Sequence, residues 1–156
     1  MEIRICNYVP GDEDEILDLV RTGFDEFVSM DCNEEGIKFF YCFITLEEFR
    51  KRNQSETFTL TARTKDDQIV GMIEVRNDGH ICLLFVRNDF KRMGIAYSLF
   101  NKAKDICLQK AGGNVIMTVN SSIYAVDIYN KIGFTAVEKV NTINGISFVK
   151  MAFMVK

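Results

Sequence analysis

Several features that would assign this chain to a specialised class are absent from its 156 residues. No apolar stretch approaches the ~20 residues that a membrane-spanning helix needs, and the N-terminus has no signal-peptide pattern. Repeats, low-complexity tracts and linkers are also absent. The sequence therefore predicts one domain over residues 1–156, with a self-sufficient core, no membrane partner and a cytoplasmic location.

The five cysteines do not form a metal-binding pattern. They are odd in number, scattered along the chain and mostly inside apolar runs, and no C-x-x-C pair occurs. Cysteines of this kind are typical of reduced thiols that pack as small apolar side chains. The sequence therefore predicts neither disulfides nor a metal site.

A basic surface is lacking as well. The net charge is −3, which argues against a nucleic-acid partner. The charge is uneven, however: residues 1–55 carry 13 acids and 6 bases, whereas residues 56–156 carry 9 acids and 13 bases. This asymmetry has two interpretations. It is either an ordinary solvated surface, or a division between the sites of a cationic and an anionic ligand.

Apolar periodicity predicts an α/β fold. The strands are expected over residues 2–8, 57–63, 69–76, 80–87, 115–119, 134–140 and 146–155. The helices are expected over residues 13–28, 36–44, 94–111 and 122–131. Capping boxes are expected at Asp12 with Glu15, and at Thr45 with Glu48. The order β-α-α-β-β-β-α-β-α-β-β implies a single mixed sheet flanked by helices.

One segment indicates an anion site. The apolar run 81–86 is followed by a basic loop, and Gly94 then opens an amphipathic helix. The first amides of a helix have no internal partner and carry the positive end of its dipole. Arg87, Lys91 and Arg92 are unfavourable there unless a bound anion offsets their charge. A phosphorylated ligand is the natural candidate.

The same segment resembles a known motif. Residues 91–96 (K-R-M-G-I-A) resemble the Gln/Arg-x-x-Gly-x-Gly/Ala loop of the GNAT N-acetyltransferases, with Lys91 in place of the usual Gln or Arg. Residues 120–134 resemble the Asn…Ala…Tyr-x-x-x-Gly-Phe segment of that family. The resemblance covers nearly the whole chain and is weakest over its first third. It implies the GNAT fold, with a mostly antiparallel sheet.

The resemblance also implies acetyl-CoA as co-substrate. Its pyrophosphate would be held by the loop, at Lys91, Arg92, Met93, Gly94, Ile95 and Ala96. Its pantetheine would pair with the strand at Leu84, Phe85 and Val86. Asn120 would either hydrogen-bond this arm or cap the following helix. The alternatives are an ordinary helix start with a solvated basic turn, and a strand whose side chains belong to the core.

Three residues are candidates for catalysis. A lysine-like amine has a pKa of about 10.4, so presenting it neutral at pH 7 costs about 4–5 kcal/mol without a base. The resemblance implies such a base at His80, the only histidine, with Glu74 on the preceding strand as competitor. It also implies that Tyr129 protonates the departing thiolate. Alternatively, these residues are a turn histidine, a solvent-facing glutamate and a core tyrosine.

The predicted function is therefore transfer of an acetyl group to a primary amine by direct attack in a ternary complex. Acidic residues such as Asp31, Glu34 and Glu35 favour a small cationic acceptor. The alternatives are a protein or peptide acceptor and a non-catalytic acyl-CoA sensor. The aromatic cluster 39–41 is compatible with a docking surface, a homodimer contact, a pocket wall or core packing.

Overall fold

Eight strands form the sheet in the computed structural model, which describes residues 2–156. The strands are β1 (Ile3–Asn7), β2 (Thr57–Thr64), β3 (Ile69–Arg76), β4 (His80–Val86), β5 (Val115–Ser121), β6 (Thr135–Ala136), β7 (Asn141–Ile143) and β8 (Ile146–Val155). The helices are α1 (Glu13–Phe27), α2 (Glu34–Phe43), α3 (Leu46–Ser55), α4 (Ile95–Ala111) and α5 (Val126–Ile132).

The strand order is β1-β2-β3-β4-β5-β8-β6, and β7 pairs with β8. Every pairing is antiparallel except that of β4 with β5, which is parallel. The predicted fold class, a mixed and mostly antiparallel sheet flanked by helices, is confirmed. Helix α4 covers one face of the sheet, and α1 and α3 pack on the other. None of the helices in residues 2–156 has the length and apolar character to cross a membrane.

Helix α1 forms as predicted, but its expected capping box is wrong. Asp12 has helical dihedral angles and does not cap the helix with its side chain. Its carboxylate instead accepts a hydrogen bond from the amide of Val9 and pairs with Arg63. Glu15 accepts from the amide of Ile69, the first residue of β3, at 2.8 Å. Both carboxylates are thus used for tertiary contacts, and acids in the first turn stabilise α1 through its dipole.

The segment between α1 and β2 contains two helices where one was predicted. Asn33 caps α2 by accepting from the amide of Gly36 at 2.9 Å. Thr45 caps α3 in the same way, accepting from the amide of Glu48 at 3.2 Å, so that N-cap is confirmed. Because each cap starts its own helix, the chain turns at residues 44–45. Helix α2 is therefore a separate element, and it packs against α3 and β8.

The strand predicted over residues 134–140 is wrong in its length. Only Thr135 and Ala136 pair with β8, opposite Ala152 and Met151. The polar pair 138–139 is exposed and leaves the sheet. The chain rejoins β8 as β7, and the predicted turn at residues 144–145 closes this hairpin. The amide of Asn33 donates to the Gly145 carbonyl at 3.0 Å, which brings the hairpin against the start of α2.

Candidate active site

A gap opens in the sheet between β4 and β5. These strands pair only at His80 with Thr118 and at Ile81 with Val119. Beyond Ile81, the edge of β4 that faces β5 is paired with none of the described strands, although β4 continues to Val86. An extended chain can add to such an edge through main-chain hydrogen bonds. Leu84, Phe85 and Val86, the predicted pantetheine strand, lie along this free edge.

The loop at the wide end of the gap leaves several amides free. The amides of Arg87, Phe90 and Lys91 donate to main-chain carbonyls. Within residues 2–156, by contrast, no hydrogen bond uses the amides of residues 92–94. Helix α4 follows at once, and its first amides are unpaired as in any helix. Consecutive free amides at a helix N-terminus form a site suited to a phosphate group.

The backbone of this loop is unusual at two positions. Gly94 has φ +76°, and Arg92 has φ +64° although it is not a glycine. Positive φ at a bulky residue is uncommon and is often found where a binding site fixes the backbone. A Cβ placed on Gly94 would meet no protein atom within 4 Å, so the space beside this residue is open. The predicted cradle at residues 92–96 therefore has both the amides and the room for a ligand.

Two of the basic side chains near this loop, Arg87 and Lys91, have partners within the protein, so their charges do not require a bound anion. Arg87 forms an ion pair with Asp89 at 2.7 Å, which offsets its charge without a bound anion. The Lys91 ammonium group lies 3.3 Å from the ring centroid of Phe27 and donates to the Tyr124 hydroxyl at 3.0 Å. Lys91 thus bridges the loops that follow β4 and β5. The free amides of the main chain are consequently the groups of this loop that can bind an anion.

The gap leads into a cavity of about 540 Å³ that contains both His80 and Tyr129 on its walls. It is bounded by α1, α2, β4, the end of β5, the start of α5 and the β7–β8 hairpin. The free edge of β4 contributes Leu84 and Phe85. The cavity therefore brings two of the three predicted catalytic residues, His80 and Tyr129, to the strand that leads into the loop.

His80 begins β4 at the narrow end of the gap. Its Nδ1 lies 2.7 Å from the Thr118 hydroxyl on β5, a contact that fixes the ring orientation. When Nδ1 carries the proton and donates to Thr118, Nε2 is left with a free lone pair. Burial lowers the pKa of His80 below its ordinary value, and Arg76 and Lys150 lower it further, against the opposing charge of Asp78. The imidazole is therefore neutral at physiological pH.

Tyr129 lies on α5, on the opposite side of the gap from β4. Its side chain is 5% exposed and packs edge-to-face on Phe134. Burial raises the pKa of Tyr129 above its ordinary value, and among the described residues the hydroxyl has no hydrogen-bond partner. A protonated, unpaired hydroxyl in a cavity wall is available to donate to a ligand.

Glu74 is fully buried, which rules out the solvent-facing position considered for it. Arg52 binds both of its carboxylate oxygens, at 2.8 and 3.1 Å, and the Thr57 hydroxyl donates to it at 2.8 Å. A guanidinium and a hydroxyl therefore occupy the carboxylate oxygens of Glu74. Glu74 thus holds Arg52 in place, and Arg52 lines the cavity.

Asn120 does not cap the helix that follows it. It is exposed near the end of β5, whereas the Ser122 hydroxyl accepts from the amide of Ala125 ahead of α5. Asn120 instead lines the cavity, where its amide group remains available to a ligand. The cap prediction is therefore wrong, and the ligand contact stays a prediction.

Sequence reasoning did not identify three groups of residues that shape this site. These are the buried Arg52, the hydroxyl of Thr118, and the cavity walls at Phe24, Phe43 and Phe148. The alternation of β5 could have indicated which side chains share a face with Thr118, but no local pattern indicates its contact with His80. In the aromatic cluster, Phe39 and Phe40 line the cavity, whereas the Tyr41 hydroxyl donates to Asp25, so the pocket-wall interpretation applies to the first two residues and the acceptor role stays a prediction.

Comparisons with known proteins agree with this geometry. The sequence model of the acetyltransferase (GNAT) domain family matches residues 28–155, which is most of the chain. The chain belongs to the GNAT acetyltransferases. No curated protein sequence matches this GNAT domain significantly.

Solved structures share the GNAT fold along their whole length. A GCN5-related N-acetyltransferase from Rhodopseudomonas palustris matches with a TM-score of 0.82 and 21% identity, over 99% of this chain and 97% of that one. A PaiA N-acetyltransferase from Thermoplasma acidophilum, solved with coenzyme A, matches with a TM-score of 0.75 and 21% identity, over 97% and 98%. An aminoglycoside 6′-N-acetyltransferase complexed with coenzyme A matches with a TM-score of 0.72 and 16% identity, over 98% and 97%.

Proposed function

We propose that this GNAT acetyltransferase moves an acetyl group from acetyl-CoA to the primary amine of a small cationic molecule. The observation that carries the proposal is that β4 has an unpaired edge, with the cavity of His80 and Tyr129 along it and the free amides of residues 92–94 in the loop that follows. The coenzyme A complexes of two structural neighbours support acetyl-CoA as the co-substrate. A cytoplasmic location remains part of the proposal.

The residues fit this co-substrate in two places. The amides of Arg92, Met93, Gly94, Ile95 and Ala96 would hold the pyrophosphate, beside Lys91. The main chain of Leu84, Phe85 and Val86 would hold the pantetheine, with Asn120 facing it across the gap. When bound, the thioester supplies an activated acetyl group at the cavity.

The reaction then needs one proton acceptor and one proton donor. The amine nitrogen forms a bond to the acetyl carbon, and the carbon–sulfur bond breaks. Nε2 of His80 accepts the amine proton, directly or through water, because its lowered pKa keeps it unprotonated. Tyr129 donates a proton to the thiolate that leaves, and the second proton lost by the nitrogen restores the tyrosine hydroxyl. Glu74 is the weaker candidate for the base because Arg52 and Thr57 occupy its oxygens.

Direct attack is favoured over an acetylated enzyme. Cys82 is the cysteine on the cavity wall, and burial, with a further contribution from Glu74, raises the pKa of its thiol to about 12. A thiol with such a pKa is protonated at neutral pH, and the thiolate is the nucleophilic form. Cys82 is therefore an unsuitable acetyl carrier, and a ternary complex is the consistent mechanism.

Replacing His80 by glutamine is expected to lower kcat about 100-fold with a competent amine, because a positioned general base contributes about that factor or more. Burial lowers the pKa of His80 from its ordinary value of 6.5. In the unchanged protein, kcat should fall as the pH drops through this lowered pKa, because the protonated ring cannot accept a proton. The His80→Gln profile should lack this inflection. The measurement is the kcat–pH profile from free CoA release at saturating substrates.

Thr118→Val is the companion variant, since it removes the hydroxyl partner of His80 and keeps the side-chain shape. It should shift the same inflection and lower kcat less than His80→Gln does. If His80→Gln retained the inflection, the base would be another group. If no amine released CoA although acetyl-CoA bound, the protein would be a non-catalytic sensor.

A further inference from the structure

The part of the cavity that lies away from the β4 edge has aromatic walls. Its rings come from Phe24 on α1, from Phe39, Phe40 and Phe43 on α2, and from Phe148 on β8. Phe24 and Phe40 stack with their centroids 3.9 Å apart, and Phe40 contacts Phe85 edge-on at 6.4 Å. Phe39 completes the wall at the rim with 48% of its surface exposed. An aromatic or apolar body packs well on such a surface.

The charged groups of the cavity are mostly used within the protein. Arg52 is paired with the buried Glu74, and Arg76 is paired with Asp78 at 2.9 Å. Among the described residues that line the cavity, the one carboxylate is that of the exposed Glu56. The predicted attractors of a cation, Asp31, Glu34 and Glu35, do not line it. The cavity thus offers no free cation and one negative charge.

The charges of the cavity favour an acceptor with one positive charge over an acceptor that carries a carboxylate or several ammonium groups. A carboxylate on the acceptor would need a free arginine, and both cavity arginines already hold a carboxylate. A polyamine or aminoglycoside would bring several ammonium groups to one carboxylate, and each buried ammonium without a partner is unfavourable. An amine with a single positive charge matches Glu56 and loses that charge when His80 takes its proton.

We propose that the acceptor is an arylalkyl monoamine, a primary amine joined by a short alkyl chain to an aromatic ring and free of carboxylate groups. The ring lies among the phenylalanines of α1 and α2, and the amine reaches toward His80. This inference rests on the proposed acetyltransferase function and specifies its substrate class.

The test compares four amines. 2-Phenylethylamine is the probe, phenylalanine adds a carboxylate to it, n-butylamine lacks the ring, and spermidine adds cationic groups to such a ring-free chain. We expect kcat/KM for 2-phenylethylamine to exceed each of the others by about tenfold or more. The measurement is free CoA release by the purified full chain. A higher kcat/KM with spermidine or phenylalanine overturns the substrate class and leaves the acetyltransferase function intact; no release with any amine overturns both.

Variants distinguish ring recognition from a general loss of function. Phe39→Ala removes a partly exposed ring, so the fold should tolerate it. It should lower kcat/KM for 2-phenylethylamine about fivefold, lower that for n-butylamine clearly less, and leave the affinity for acetyl-CoA unchanged. Met154→Ala is the control, because Met154 is 60% exposed on β8 and does not line the cavity. An equal loss with both amines in Phe39→Ala would contradict ring recognition.

Discussion

Tyr129→Phe is expected to lower kcat about 100-fold and to leave the Kd for acetyl-CoA unchanged. The variant keeps the buried ring and its edge-on contact with Phe134, and it removes only the hydroxyl. Because that hydroxyl makes no hydrogen bond to the described residues, its loss should not destabilise the fold. The effect should therefore appear in the step that releases the thiolate. Steady-state CoA release and calorimetric titration measure the two quantities.

Tyr8→Phe is the matched control for this experiment. Tyr8 packs on Phe49, and it lies outside the cavity. Its replacement should leave kcat unchanged. If Tyr129→Phe also turned over at the normal rate, Tyr129 would be a core residue and the proton would come from another group. If its acetyl-CoA affinity fell in parallel with kcat, the hydroxyl would bind the ground state instead.

Gly94→Ala is expected to weaken acetyl-CoA binding about tenfold or more, which corresponds to about 1.4 kcal/mol. Gly94 has φ +76°, where an alanine is strained by about 1–2 kcal/mol. The added methyl group would occupy the open space beside the free amides of the loop. The expected result is a loss of affinity in a calorimetric titration, with a small loss of thermal stability.

Gly112→Ala separates these two effects. Gly112 ends the same helix with φ +75°, and a Cβ there would likewise meet no atom within 4 Å. Both variants should therefore lower the free energy of unfolding by a similar amount, while only Gly94→Ala weakens binding. Equal affinities in the two variants would mean that the ligand does not approach the main chain at Gly94.

The loop was predictable from the sequence because its chemistry is local. An apolar strand, a glycine and an amphipathic helix follow one another within residues 81–111, and the free amides depend only on the backbone of that segment. The position of Tyr129 on a helix was predictable for the same reason, because α5 is short and its start depends on neighbouring residues. Local signals of this kind predict where a helix starts, and the free amides of the loop lie at such a start.

Contacts between distant residues were not predictable. Arg52 and Glu74 are 22 residues apart, and His80 and Thr118 are 38 residues apart. No spacing rule joins side chains on different elements, so the sequence favoured His80 as the base but could not exclude Glu74 as its competitor. The structure separates them by the partners that each has. The positions of the acidic residues of the first third were unpredictable for the same reason, and Asp31, Glu34 and Glu35 do not line the cavity.

We propose that main-chain amides of one loop, together with the open edge of β4, hold the co-substrate. An NMR titration with acetyl-CoA, followed through the backbone amides, examines this binding mode residue by residue. We expect the largest shifts at residues 92–96 and 84–86, and unchanged signals for β1 and for the C-terminal end of α4. Saturable shifts confined to another surface, or none at millimolar acetyl-CoA, would contradict it.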